Sequence, residues 1–295
     1  MAEPAATRAI AGIEPLLDRY DGFLVDQFGV LHDGVRPLPG AREALEALKV
    51  AGRTVIILSN SGRRNAPNEA RLTRIGLPHA LYTAFVGAGE VTWQGLRAGE
   101  DPTFAGLGRR CLLFTRGGDH SVVDDLPLEL VDAASADFVL LAGIDHDDAS
   151  HRQCAAQLAQ ALARGLPMLC SNPDLFSIEG DRWVEGPGTL AARYAAGGGE
   201  VRYVGKPWPA IYRTALAMLQ LPLGRIVAVG DSLEHDVAGA APFGIDSALI
   251  TGGVHAAAFA GAVAPPELLD RLDSLAPPGQ PRPRWLLPAF RPASS

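Results

Sequence analysis

Four segments of this chain place reactive or charged side chains directly after short apolar runs. The first is Asp26-Gln27-Phe28-Gly29-Val30, which follows Phe23–Val25. A carboxylate at such a point is a nucleophile or a cation ligand, or else the cap of an Asx turn. Gly29 beside it permits a sharp turn and close approach of a ligand. The second is Ser59-Asn60-Ser61-Gly62-Arg63, after Thr54–Leu58. A hydroxyl with backbone N–H groups at a helix start makes an anion site, although Ser, Asn and Gly also build ordinary loops. The third is Lys206, after Arg202–Val204 and Gly205. Only Lys49 and Lys206 among the 26 basic residues are lysines. A lysine here supplies a compact ammonium point charge, unless it is simply a solvated surface residue. The fourth is Gly230-Asp231-Ser232-Leu233-Glu234-His235-Asp236, after Ile226–Val229. Asp231 and Asp236 can converge on one site, and hard divalent cations such as Mg²⁺ take such oxygen ligands. Glu234 and His235 read as solvated charges.

Together these are a carboxylate nucleophile, a hydroxyl with backbone amides, a lysine and an acidic pair. That set performs phosphoryl transfer. Metal and lysine offset the phosphate charge, while Asp26 attacks phosphorus to give an acyl phosphate.

The elements that must position these groups are legible. Strands are expected at Phe23–Val25, Thr54–Leu58, Cys111–Phe114, Phe138–Leu141, Pro167–Cys170, Arg202–Val204, Ile226–Val229 and Ala248–Ile250. Several are apolar at consecutive positions, the pattern of parallel strands buried on both faces. Helices with one apolar face lie between them, over 41–50, 150–164 and 210–219. Strand–helix alternation predicts an α/β fold with parallel sheets. In such sheets ligands bind outside the carboxyl ends of the strands, where all four segments lie. Gly197-Gly198-Gly199 reads as a surface turn, since no strand directly precedes it. The proline-dense stretch from Ala276 is expected to be an irregular strap docked by Trp285 and Leu286, with a frayed end.

Composition narrows the function. The 295 residues are 47% hydrophobic and 20% charged, the balance of a globular protein with a sizeable core. The net charge of −7, with no basic block, disfavours a nucleic-acid partner. No run approaches the roughly 18 to 20 apolar residues of a membrane span. The opening MAEPAATRAI carries no apolar core of a secretory signal. Cys111, Cys154 and Cys170 are too few and too widely spaced for a zinc pattern or a disulfide framework, and fit buried thiols in a reducing cytoplasm.

The order Asp26-x-x-Gly29-Val30, Leu58-Ser59-Asn60, Gly205-Lys206-Pro207 and Gly230–Asp236 resembles the four motifs of the haloacid dehalogenase superfamily of aspartyl-phosphate phosphohydrolases. The tightest similarity is to the NagD-type, 4-nitrophenylphosphatase-like subgroup. Val30–Gly34, Pro37–Ala41, Ser171–Asp174, Gly205–Tyr212 and Gly244–Val254 add to it, so the resemblance runs over about 20–288. It implies a Rossmann-like parallel-sheet core, 1–86 and 187–295, with an inserted α/β cap domain, 87–186. It implies a Mg²⁺-dependent hydrolase of small phosphorylated metabolites. Asp26 would be nucleophile and metal ligand, the Phe28 carbonyl and Asp231 would complete the protein's metal shell, and Asp236 would be a ligand or its support. Ser59, Asn60 and the catalytic Lys206 would hold phosphate, and Asn172 and Asp174 would read the substrate. A homodimer is implied by the resemblance alone.

One position departs from the pattern. Where the family has a second aspartate, which protonates the leaving oxygen, this chain has Phe28. Such acid–base help is worth roughly 10²–10⁴-fold. His32, Asp33 and His235 are nearby proton sources or structural residues. Two other readings follow: a phosphate-ligand-binding protein whose catalysis has decayed, and a dehalogenase, whose aromatic at this position is similar. The retained acidic pair argues against dehalogenation.

Overall fold

A computed structural model of the chain describes residues 6–145, 147–179, 182–277 and 279–293. The strands of its first half are β1 Arg8–Ala9, β2 Gly22–Val25, β3 Thr54–Ser59, β4 Ala84–Gly87, β5 Arg110–Phe114, β6 Glu129–Leu130 and β7 Phe138–Leu141. Those of the second are β8 Met168–Cys170, β9 Phe176–Glu179, β10 Arg182–Glu185, β11 Val201–Tyr203, β12 Ile226–Gly230, β13 Asp246–Ile250 and β14 Trp285–Leu287. The chain divides into two compact units. One comprises Met1–Leu58, Glu69–Phe85 and Tyr212–Ser295, the other Ser59–Asn68 and Val86–Ile211.

The first unit is built on a sheet ordered β1-β14-β13-β12-β2-β3-β4. Strand β2 runs parallel to both β12 and β3. Side chains alternate between two cores, as the period of a strand requires. Val227, Val229, Ala248, Ile250, Trp285 and Leu287 face one cluster, with Ala41, Ala44, Leu45 and Leu48 of the helix Ala41–Val50. Leu249 and Leu286 face the other, with Leu233, Val237 and Leu272. Burial on both faces is why these strands read as continuous apolar runs.

The proline-rich segment corrects one expectation. Trp285–Leu287 is a strand, paired in parallel with both β13 and β1, and all three residues are buried. The Trp285 indole N–H donates to the Tyr20 hydroxyl at 2.9 Å, and that hydroxyl donates to Asp246 at 2.6 Å. The three apolar residues are worth more inside the sheet than on a strap. Residues 294–295, at the end of the stretch expected to fray, lie outside the described residues.

The second unit holds a parallel sheet ordered β11-β8-β7-β5-β6 and the antiparallel pair β9–β10. The helix Asp148–Ala163 packs Cys154, Leu158 and Ala161 against Leu112, Val139, Leu141, Met168 and Cys170. The unit takes in all of 87–186 and continues to Ile211, because β11 pairs with β8. Cys111, Cys154 and Cys170 are buried thiols outside any disulfide. Burial pushes Cys111 up to about 12 and Cys154 up to about 11, so neither is a nucleophile at neutral pH.

Candidate active site

In the first unit, register does the positioning. Val25 of β2 pairs with Val229 of β12, and the Asp26 N–H donates to the Val229 carbonyl at 2.8 Å. Asp26 and Asp231 therefore leave adjacent parallel strands at the same level. A π-type turn, Leu233–Val237, then carries Asp236 back toward them. Its start is held by the Ser232 hydroxyl, which accepts the His235 N–H at 3.1 Å. Carboxylate oxygens of Asp26, Asp231 and Asp236 lie within 4.8 Å of one another.

Two of these carboxylates are oriented by backbone donors. Val254 N–H reaches Asp231 Oδ2 at 2.8 Å, and Ser232 N–H reaches Asp236 Oδ2 at 3.2 Å. Glycines keep the space clear. A Cβ on Gly29, whose φ is +74°, would overlap the Asp231 carboxylate, as would one on Gly253; one on Gly230 would overlap that of Asp236. Asp231 and Asp236 are 9% and 4% exposed. Asp26 is half-buried, and three acidic groups so close repel one another unless positive charge or protons offset them. An all-oxygen donor set of this kind suits a hard divalent ion.

The turn after β2 is organised differently. The Phe28 ring meets the His32 ring edge-on, centroids 4.5 Å apart, and the Arg71 guanidinium lies 4.9 Å over it. His32 is fully buried. Its Nδ1 accepts the Gly34 N–H at 2.9 Å, so the proton sits on Nε2 and is donated to Gln27 Oε1 at 3.2 Å. Arg71 donates to the same oxygen at 3.3 Å. Burial first, and then the Arg71 charge, pushes His32 down to about 3. This imidazole is neutral and has both nitrogens engaged, so it is a structural residue. Asp33 accepts the N–H groups of Val35 and Arg36 and the Arg36 side chain. Those bonds, the Arg36 backbone foremost, hold it below the usual carboxylate range. Both side chains are thus committed to hydrogen bonds within the turn.

In the second unit, Ser59 ends β3, and its hydroxyl accepts the Ser61 N–H at 3.1 Å. Asn60 is held on both ends of its carboxamide. Oδ1 accepts the Lys206 N–H at 2.6 Å, while Nδ2 donates to Asp174 Oδ1 at 2.7 Å and to the Lys206 carbonyl at 3.2 Å. The flipped amide would face N–H with NH₂ and carboxylate with oxygen, so its orientation is fixed. Asn172 accepts the Asp174 N–H at 3.0 Å, an Asx turn that presents Asp174. Lys206 is 2% exposed, and its bond to Pro207 is cis.

The expected site residues thus fall into three groups. Asp26, Asp231 and Asp236 converge. Asn60, Lys206 and Asp174 form one hydrogen-bonded set, beside Ser59 and Asn172. Phe28 joins His32 and Arg71. Sequence reasoning missed the Asp231 contacts of Gly253 and Val254, although Thr251-Gly252-Gly253 signals a tight turn at a strand end. It missed Gln27 and Arg71 entirely. They lie 44 residues apart, with no local pattern to link them.

Fold and site define a parallel α/β protein with three converging carboxylates, Asp26, Asp231 and Asp236, at its strand ends. Two family models match the chain: Haloacid dehalogenase-like hydrolase over residues 23–129, and HAD-hydrolase-like over 203–275. Chronophin of Bos taurus is 31% identical over 248 residues, covering 77% of this chain and 79% of the relative. A hydrolase of the haloacid dehalogenase-like family from Brucella suis 1330 superimposes with a TM-score of 0.80 at 30% identity, covering 95% of this chain and 99% of that one. The p-nitrophenyl phosphatase from Archaeoglobus fulgidus superimposes with a TM-score of 0.69 at 26% identity, covering 93% and 98%. The chain belongs to the haloacid dehalogenase-like hydrolases.

Proposed function

We propose that this chain is a Mg²⁺-dependent phosphatase of small phosphorylated metabolites that carries the phosphoryl group on Asp26. The observation behind the reading is the convergence of Asp26, Asp231 and Asp236. Family membership and the likeness to a p-nitrophenyl phosphatase support it.

The oxygen-only donor set, with glycines clearing its flanks, fits the ion. Asp26, Asp231 and the Phe28 carbonyl would hold it, with Asp236 as ligand or support, and it would supply charge neutralisation at the phosphate. A carboxylate oxygen of Asp26 forms a bond to phosphorus as the bond from phosphorus to the ester oxygen breaks. Water then cleaves the acyl phosphate, releasing inorganic phosphate and restoring the carboxylate. Ser59 contributes a hydroxyl and Lys206 an ammonium to the phosphate. Asn60 contributes its backbone N–H, since its carboxamide is already engaged. The inserted segment, 87–186 with an extension through β11, acts as the substrate-selecting cap. The setting is the cytoplasm, where thiols such as Cys111, Cys154 and Cys170 stay reduced. A homodimer follows from the resemblance alone and is checked by light scattering.

Phosphate release from p-nitrophenyl phosphate and a panel of metabolite phosphates, with and without Mg²⁺, is the test. Release that needs Mg²⁺ and vanishes in Asp26→Asn is expected. Release that persists in Asp26→Asn would overturn the reading. A second reading, binding without turnover, is favoured by the Phe28 ring packed under Arg71. Mg²⁺-dependent phosphate affinity with no release from any substrate would select it.

A further inference from the structure

We infer that Asp174 is a positioning residue, which sets the place of Lys206 by acting through Asn60. The inference rests on the reading of Lys206 as the phosphate-holding cation. The three residues come from separate segments: Asn60 just past the end of β3, Asp174 on the loop after β8, and Lys206 after β11. Yet one carboxamide ties them together. Asn60 grips the Lys206 peptide from both sides, taking its N–H at 2.6 Å and giving to its carbonyl at 3.2 Å. The other donor of that carboxamide goes to Asp174 Oδ1 at 2.7 Å. A primary amide has two N–H donors, and both are spent. The carboxylate therefore fixes the rotation of the Asn60 side chain, and that rotation fixes the Lys206 backbone.

The surroundings leave this clamp no slack. A Cβ on Gly205 would fall within 2.6 Å of both Asn60 Oδ1 and Pro173. On the other side, Gly186 and Gly188 lie so close that a Cβ on either would overlap the backbone of Pro173 or Asp174. The Asx turn from Asn172 and the bond from Gly188 N–H to the Asp174 carbonyl at 2.9 Å hold the loop itself. Asp174, which sequence reading would assign to the substrate, spends a carboxylate oxygen on the lysine loop. Its effect should therefore fall on how well phosphate is held, equally for every substrate.

The experiment compares Asp174→Ala and Asp174→Asn with the full wild-type chain. Three readouts are used: affinity for orthovanadate, kcat/KM over a set of phosphate esters, and hydrogen exchange at the Lys206 amide. A hydrogen bond to a charged partner is worth about ten-fold in an equilibrium. Asp174→Ala is expected to weaken vanadate binding about ten-fold and lower kcat/KM by a similar factor for all esters. Lys206 amide exchange should quicken. Asp174→Asn keeps an acceptor oxygen and should stay within about three-fold of wild type. A changed ranking of esters with vanadate affinity intact would make Asp174 a substrate reader and overturn the inference. So would a loss in Asp174→Asn as deep as in Asp174→Ala, or Lys206 exchange that neither variant alters. If Asp174→Ala does not fold, Asp174→Ser, whose hydroxyl cannot span the distance, takes its place. A wild type with neither turnover nor vanadate affinity would refute the phosphatase reading. The exchange measurement would still decide the clamp.

Discussion

Two turns in the first unit leave neighbouring parallel strands and are built to opposite ends. The turn after β12 is organised around charge. Its carboxylates accept backbone N–H groups, its glycines stand aside, and a serine caps its start. The turn after β2 offers one carboxylate and then closes around an aromatic. Phe28, His32, Gln27 and Arg71 form a packed and hydrogen-bonded plug just after Asp26. The contrast separates two tasks that phosphoryl transfer normally combines. Under the proposed function, the β12 turn would handle anionic charge, and position 28 would offer no acid for the leaving-group proton.

The contrast would collapse if Asp26 were dispensable. Asp26→Asn should reduce phosphate release to background for every ester, because an amide oxygen does not form a stable acyl phosphate. Residual turnover sensitive to Mg²⁺ would place the nucleophile elsewhere. Next in size is the β12 side. Mg²⁺ with a phosphate analogue should raise the melting temperature, and Asp231→Asn should remove most of the gain. A ligand at a hundred times its Kd stabilises by about 2.7 kcal/mol, which calorimetry detects readily. A full gain in Asp231→Asn would disconnect that turn from the metal.

The β2 side is tested by leaving groups. With no acid at position 28, kcat/KM should fall steeply as the pKa of the departing alcohol rises from aryl to alkyl phosphates. A flat series, with chemistry rate-limiting, would reveal another proton source. His235 would then be the first substitution, since His32 and Asp33 are committed to the turn. Restoring the acid sharpens the point. In Phe28→Asp the new carboxylate would face Arg71, which holds it ionised and so unable to donate a proton. The single variant should gain little on alkyl phosphates. Adding Arg71→Met should release a larger part of the roughly 10²–10⁴-fold that acid catalysis supplies. Equal rates in single and double variants would show that Arg71 does not control the site.

The smallest effect concerns stability. His32 titrates near 6.5 when unfolded and is pushed down to about 3 in the fold. Between those values the unfolded chain binds the extra proton. The contribution of neutral His32 is therefore complete above about pH 6.5 and is lost progressively as pH falls toward about 3. Urea midpoints should drop between pH 7 and pH 5, and less so in His32→Asn. Parallel pH profiles for the two proteins would contradict the burial of a neutral imidazole.

Much of this was legible beforehand. The runs ahead of Asp26, Ser59 and Asp231 are strands, and their apolar residues are buried. The helical faces over 41–50, 150–164 and 210–219 are also buried, at Leu45, Leu48, Cys154, Leu158, Ile211 and Ala215. Less was legible where pairing supplies the stability. Strands β1 and β6 have two residues each, and β14 has three. Segments that short carry no period, and their backbone groups are satisfied only by a neighbour far along the chain.

The same physics divides the site. Residue type and position after a strand depend on the local chain, so Asp26, Ser59, Lys206, Asp231 and Asp236 were marked by the sequence alone. What each side chain touches depends on segments that meet only in the folded protein. Asn60 and Asp174 are 114 residues apart, Asn60 and Lys206 are 146 apart, and Gln27 and Arg71 are 44 apart. Sequence spacing said which chemistry was available. Tertiary packing decided that His32 is a neutral strut and that Arg71 covers Phe28, because burial and long-range hydrogen bonds set a group's charge and reach, and neither is a property of its neighbours in the chain.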